Sequence, residues 1–295
     1  MKQPIFTGAG VAIVTPFESG GKINYPLFAK LIDFQIENGT DAVIVCGTTG
    51  ESPTLGHTEH AELIRYCTQH VSGRVPVIAG TGSNDTAYCL KLSNEAEKSG
   101  VDGLLMVTPY YNKTSQQGLI EHFSYLADRV STPIILYNVP SRTGLNIQPA
   151  TYKALSAHPL INAAKEANGD VSALAQTAAL CGDDLVLYSG NDDQIVPFMS
   201  LGAVGVISVL SNVIPKVTHD MAAACLAGDF AEGARLQLEY IDLCNDLFAD
   251  VNPIPVKEAL KLMGWNVGPC RLPLPAIGAG AAEKLVKALK NHGLV

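Results

Sequence analysis

Lys165 ends the apolar run Ile161-Asn162-Ala163-Ala164-Lys165. If that run is a buried strand, its ammonium enters a confined interior and loses much of its hydration. Desolvation favours a neutral amine, and a neutral lysine is a nucleophile toward carbonyls. The ordinary alternative is a lysine that snorkels to the rim or pairs with Glu166. Tyr137 sits in Ile134-Ile135-Leu136-Tyr137-Asn138, just ahead of Val139-Pro140, where its hydroxyl would face the same cavity. A phenol is a poor base at neutral pH, so it becomes useful inside a hydrogen-bonded relay. Thr48 extends such a relay from the turn Gly47-Thr48-Thr49-Gly50-Glu51-Ser52. The hydroxyls and backbone amides of that turn, beside two glycines, suit a carboxylate, and a polar loop with a helix cap is the plainer reading. Arg142, in Ser141-Arg142-Thr143-Gly144, offers a planar guanidinium that can clamp a carboxylate bidentately or simply lie solvated. Tyr110-Tyr111, behind Pro109, are a relay element, an interface pair or packed aromatics.

These side chains need a frame. Apolar runs recur at Val11 to Thr15, Ala42 to Cys46, Val75 to Ala79, Gly103 to Thr108, Ile134 to Asn138, Ile161 to Lys165, Leu185 to Ser189 and Val204 to Val209. Helical patterns separate them, as at Tyr25 to Asn38, Glu59 to Val71, Thr86 to Ser99 and Gln116 to Val130. Gly39 and Gly100 supply helix stops, and Thr114-Ser115-Gln116-Gln117 reads as a capping box. Alternating strands and helices with near-continuous apolar strands imply a covered parallel sheet. Eight units favour closure into an α/β (β/α)8 barrel, with a doubly wound open sheet as the alternative. The barrel is expected over residues 1–227 and a small C-terminal helical domain over 228–295, with helices at Phe230 to Phe248, Val256 to Met263 and Ala281 to Asn291. In such barrels the chemistry sits at the C-terminal ends of the strands, where Lys165, Tyr137, Thr48 and Arg142 all fall.

The bulk properties narrow the function. A formal charge of −8 argues against nucleic acid or an anionic membrane as partner, and makes an anionic substrate dependent on a local cation such as Arg142. With 47% hydrophobic and 16% charged residues, the chain can bury a substantial core. Neither a membrane-spanning run nor a signal-peptide pattern is present, so a cytoplasmic protein is expected. The seven cysteines, scattered and never Cys-x-x-Cys, read as reduced and mostly buried. None of the seven histidines lies in an expected strand, which argues against a histidine-ligated zinc. No Gly-x-Gly-x-x-Gly follows the first strand, which weakens a nicotinamide site.

Taken together, Gly47-Thr48-Thr49-Gly50-Glu51, Tyr137-Asn138-Val139-Pro140-Ser141-Arg142-Thr143-Gly144 and Lys165 resemble the dihydrodipicolinate synthase family. The likeness includes the opening Gly10-Val11-Ala12-Ile13-Val14-Thr15-Pro16-Phe17, the turn Gly80-Thr81-Gly82 and Asn252-Pro253-Ile254-Pro255-Val256-Lys257, so it covers nearly the whole chain. It implies a Schiff-base lyase without cofactor or metal, in which Lys165 condenses with pyruvate and the resulting enamine attacks L-aspartate 4-semialdehyde, in diaminopimelate and lysine biosynthesis. Thr48, Tyr137 and Tyr111 match the family's proton relay. Tyr111 would reach in from a neighbouring subunit, which implies a homo-oligomer, usually a tetramer built as a dimer of dimers. Thr49 and the backbone around Gly190 and Ile207 match positions at the pyruvate end, and Arg142 matches the residue on the semialdehyde carboxylate.

The related N-acetylneuraminate lyases are similar at Lys165 and Tyr137 but lack Ser-Arg-Thr-Gly, so Arg142 favours the semialdehyde. Ser52, His57, His60, Asn84 and Tyr110 resemble a lysine effector pocket. Its usual glutamate is replaced by Tyr88, which implies weak or absent feedback. A non-catalytic metabolite-binding barrel is the competing reading, and it would be favoured by loss of Lys165 or Tyr137. Both are present.

Overall fold

The computed structural model describes residues 2–295. Its strands are β1 (Gly8–Ala12), β2 (Ala42–Val45), β3 (Val77–Gly80), β4 (Gly103–Val107), β5 (Ile134–Asn138), β6 (Ile161–Glu166), β7 (Val186–Ser189) and β8 (Gly205–Ser208). Each pairs in parallel with the next, and β8 returns to β1 through pairs from Gly8↔Gly205 to Val11↔Ser208. The sheet is therefore a closed barrel, and the open-sheet alternative falls away. Helices α1 (Tyr25–Glu37), α2 (His57–Val71), α3 (Thr86–Lys98) and α4 (Gln116–Ala127) follow the first four strands. Next come α5 (Pro140–Thr143), α6 (Pro149–Ser156), α7 (Val171–Cys181), α8 (Ile195–Ser200) and α9 (Pro215–Leu226). Beyond them lie α10 (Phe230–Glu239), α11 (Ile241–Asp246), α12 (Ile254–Leu262) and α13 (Ala279–Asn291). Among the described residues no helix is long and apolar enough to cross a membrane.

Local chemistry sets the helix ends. Asn24, Asp85 and Asp170 cap α1, α3 and α7 by accepting from backbone N–H groups of the first turn. The capping residue of α4 is Ser115, whose hydroxyl accepts from Gly118 N at 3.1 Å, one position later than a box opening at Thr114. Gly39 and Gly100, at φ +88° and +80°, make the left-handed exits expected after α1 and α3.

Two strand boundaries bear on the site. The first strand begins three residues earlier than the hydrophobic run Val11 to Thr15 suggests. It lies against β8 with glycine on both sides, and a Cβ on Gly205 would overlap the Gly8 backbone. Ile13 to Thr15 instead form the rim, with Val14 N donating to Asn212 Oδ1 at 3.1 Å and Thr15 Oγ1 to Gly50 O at 2.7 Å. At the other boundary, β6 runs one residue past Lys165 and takes Glu166 into the ladder.

Strand alternation divides the core in two. Ile44, Ile78, Leu105, Ile135, Ala163 and Ile207 point inward with Tyr137 and fill the barrel. Val43, Val45, Leu104, Leu136 and Ala164 point outward and pack beneath the helices. At the N-terminal end of the barrel Phe6 stacks on Tyr188 with ring centroids 4.5 Å apart, and the Tyr188 hydroxyl donates to Phe6 O at 2.6 Å. The interior is thus filled below and open for chemistry only above.

The expected helix Phe230 to Phe248 is broken at Tyr240 into α10 and α11. Lys257 on α12 is buried, as is its partner Glu51 in the turn after β2. The ammonium donates to Glu51 Oε1 at 2.8 Å, Thr15 O at 3.1 Å and Pro269 O at 3.0 Å, which uses all three of its protons. The other Glu51 oxygen accepts from Arg271 N at 2.8 Å. A fully satisfied buried ion pair therefore fastens the C-terminal helices to the β2 turn.

Candidate active site

The C-terminal mouth of the barrel holds a cavity of about 170 Å³. Parallel pairing sets Tyr137 of β5 beside Lys165 of β6, both pointing inward, and Lys165 Nζ lies 4.4 Å from the centre of the Tyr137 ring. Lys165 is only 5% exposed. It neither snorkels nor pairs with Glu166, which faces the opposite side of the sheet, and among the described residues it makes no salt bridge. Gly190, in the loop after β7, leaves room for the lysine stem. A Cβ there would stand 3.1 Å from Lys165 Cε and 2.7 Å from Ala167 Cβ.

Thr48 and Thr49 line the cavity from the β2 turn, and Arg142 lines it from α5. The structure thus brings together six of the expected site residues: Lys165, Tyr137, Thr48, Thr49, Arg142 and Gly190. Ile207 packs within the interior core under the mouth and does not line the cavity. Tyr111 also stands apart. It is 92% exposed, at φ +68°, and touches no part of the cavity within this chain.

The sequence motifs imply no site role for Asn252. Its Nδ2 donates to Thr49 Oγ1 at 3.0 Å, and its carbonyl accepts from Arg142 at 3.1 Å, so one residue between α11 and α12 touches two walls of the cavity. Ser141, Asn191 and Phe248 complete the rim. Asp192 supports the floor, its Oδ2 accepting from Val209 N at 3.0 Å and Leu210 N at 2.9 Å, which ties the loop after β7 to the loop after β8. Burial pushes this carboxyl above its usual range, against the pull of Ser208 and those two N–H groups.

Behind the wall lies a second polar group of residues. Asn138 Nδ2 donates to both oxygens of Glu166 at 2.9 and 3.0 Å, and the Tyr152 hydroxyl donates to Oε2 at 2.8 Å. Asn168 N donates to Oε1 at 2.9 Å. Burial raises Glu166 to about 7, with Asn138 and Tyr152 opposing the rise. The one signal in the sequence was a glutamate directly after an apolar strand.

A neighbouring cavity of about 330 Å³ shares Thr48, Val139 and Arg142 with the first. Of the expected effector residues, Ser52, His60 and Tyr110 line it together with Tyr88, whereas His57 and Asn84 do not. His57 bonds Glu95 at 3.1 Å and meets Tyr88 edge-on at 5.6 Å. Asn84 lies by Asn112, whose amide donates to its carbonyl at 2.9 Å. His60 is held down to about 4 by burial and bonds Gly80 O at 2.9 Å, so it stays neutral.

A confined amine beside a phenol, a hydroxyl-rich turn and a guanidinium across the cavity can bind a keto acid covalently and receive a second anionic carbonyl compound. Known proteins fit that chemistry. The dihydrodipicolinate synthetase family matches residues 5–292. The 4-hydroxy-tetrahydrodipicolinate synthase of Caldicellulosiruptor saccharolyticus is 53% identical over 292 residues, 99% of each chain. The enzyme of that name from Lachnoclostridium phytofermentans is 54% identical over 292 residues, again 99% of each. Among solved structures, a chloride-inhibited dihydrodipicolinate synthase from Acinetobacter baumannii complexed with pyruvate superposes with a TM-score of 0.96 at 39% identity, covering 98% of this chain and 99% of the other.

Proposed function

Because this chain belongs to the dihydrodipicolinate synthetase family, we propose that it condenses pyruvate with L-aspartate 4-semialdehyde through a Schiff base on Lys165, a step of diaminopimelate and lysine biosynthesis. The observation that carries this reading is the buried amine of Lys165, without an ion-pair partner among the described residues, 4.4 Å from the Tyr137 ring and facing the cavity that Arg142 lines. The amine attacks the ketone carbon of pyruvate, water leaves, and a protonated imine remains. Loss of a methyl proton gives the enamine, whose carbon joins the aldehyde carbon of the second substrate. The adduct then cyclises, and Lys165 is released. Thr48 and Tyr137 relay the protons, Thr49 and the backbone at Gly190 hold the pyruvate end, and Arg142 binds the semialdehyde carboxylate.

The fully exposed Tyr111 completes the relay from a neighbouring copy, so the active form is a homo-oligomer, read as a homotetramer. Residues 1–227 act as the catalytic barrel and 228–295 as a helical domain, and the protein works in the cytoplasm. An assay of pyruvate against aspartate semialdehyde and N-acetylmannosamine tests the substrate. Turnover of the sugar derivative alone would overturn this reading in favour of a neuraminate lyase.

The guanidinium touches only the second substrate. Arg142→Ala is therefore expected to lower kcat/KM for the semialdehyde about 100-fold, roughly 2.7 kcal/mol. Imine trapping with pyruvate should change little. Equal losses in the two measurements would remove the clamp from the mechanism.

Feedback by lysine should be weak. Among the described residues the neighbouring cavity is lined by no carboxylate, and Arg142 contributes a cation to it. An amino group entering there meets neither an opposite charge nor a charge-assisted acceptor. Half-inhibition is expected only above roughly 1 mM lysine, where binding is worth about 4 kcal/mol. Inhibition at micromolar lysine would contradict this.

A further inference from the structure

We propose that Glu166 is a positioning residue: through Asn138 it holds Lys165, Tyr137 and the Arg142 turn in their reacting arrangement from the far side of the barrel wall. The inference rests on the Schiff-base reading of Lys165 and concerns a residue that touches no substrate.

The geometry points to it in three steps. First, Asn138 and Glu166 are the chain successors of Tyr137 and Lys165, and they pair with each other one rung further along the same ladder. Alternation turns the first pair into the cavity and the second pair outward. Second, this ladder is irregular lower down, where the register shifts between Ile134 and Ile135. Pairing below the shift therefore does not by itself set the register at the catalytic end, and a slip of one residue there would turn the lysine or the tyrosine out of the cavity. The bonds of the Asn138 amide to both carboxylate oxygens lock the strands at the catalytic end.

Third, the same asparagine closes the turn that carries Arg142. Its Nδ2 also donates to Asn146 Oδ1 at 2.7 Å, and its Oδ1 accepts from Ile147 N at 3.1 Å. The Glu166 backbone carbonyl accepts from Gly190 N at 2.7 Å, a main-chain bond that every residue at this position would keep. Tyr152 on α6 fixes the carboxylate from behind. Protein N–H and O–H groups thus meet both oxygens, which accounts for a carboxylate kept in a site where burial disfavours its charge.

The test compares borohydride trapping of pyruvate in wild type, Glu166→Ala and Glu166→Gln, with the rate taken per folded protein. Misplacement of reacting groups by about 1 Å costs roughly 100-fold, and Glu166→Ala is expected to slow both trapping and kcat on that scale while KM for pyruvate stays near wild type. Glutamine keeps one oxygen for Asn138 and Asn168, and its amide can donate to the Tyr152 hydroxyl, which is free to turn. Glu166→Gln should therefore recover most of the rate.

Wild-type trapping in Glu166→Ala overturns the proposal. So does a glutamine variant as slow as the alanine variant, because charge rather than position would then be what matters. If Glu166→Ala does not fold, Tyr152→Phe deletes a single bond to the carboxylate, and slower trapping at unchanged KM supports the proposal while unchanged trapping overturns it. Failure of the wild-type protein to trap pyruvate at all would instead sink the Schiff-base reading itself.

Discussion

Lys165→Ala is expected to abolish turnover and the borohydride-stable adduct with pyruvate together, while thermal stability stays close to that of the wild type. Among the described residues no other amine lines the cavity, since the only further cation there is Arg142, and guanidinium is not a nucleophile at ordinary pH. The other buried lysine, Lys257, has all its protons engaged with Glu51 and two carbonyls and cannot substitute. Covalent catalysis therefore has no second route. The loss should be on the order of 10⁴-fold or more, about 5.5 kcal/mol of transition-state stabilisation. Folding should survive because, among the described residues, Lys165 makes no salt bridge whose partner would be left behind. Peptide mass mapping after reduction gives the check. An adduct on another lysine, or a residual rate within about tenfold of wild type, would refute the assignment.

The largest effect on stability is expected from Lys257→Met. Its ammonium and the Glu51 carboxylate are 2.8 Å apart, with side chains 3% and 0% exposed. Methionine fills a similar volume but leaves the enclosed Glu51 carboxylate without its ion-pair partner, although the Arg271 N–H still donates to it. Breaking one side of such a pair costs about 3–5 kcal/mol. Removing the stranded charge as well, in Glu51→Gln with Lys257→Met, should recover part of that loss. The measurement is denaturant unfolding of the two variants against wild type. A loss below about 1 kcal/mol in the single variant would place the pair among those that contribute little. Thr49 lies in the same turn as Glu51 and bonds Asn252, so the single variant should also bind pyruvate more weakly.

The hydrophobic pattern marks the strand carrying Tyr137 to its ends and the strand carrying Lys165 to within one residue, because interior strands of a covered parallel barrel are apolar on both faces and stand out as short runs. The eightfold alternation then implied closure. The first strand departs from its hydrophobic run because a seam of glycines, required by close approach to β8, contributes nothing to a hydrophobic pattern. Lys165, Tyr137, Thr48, Thr49 and Arg142 were legible as chemistry at strand ends.

Asn252 and Lys257 were recognised only as part of a resembling motif, since their partners lie some 200 residues away in the chain. The pairing of Glu166 with Asn138 and Tyr152 was equally hidden, because only the ladder register brings the first two opposite each other. Tyr111 shows the reverse case. A resemblance assigns it a role, while the single chain leaves it in solvent.

The mouth of the cavity is assembled from segments that share no ladder: Ser141 from α5, Asn191 after β7, Phe248 after α11 and Asn252 before α12. None of these four belongs to a barrel strand. A change of size or polarity at Ser141 or Phe248 is therefore expected to reshape the mouth without displacing the strands that carry Lys165 and Tyr137. Mutagenesis libraries aimed at new aldehyde acceptors can concentrate on those two positions and leave the covalent step intact.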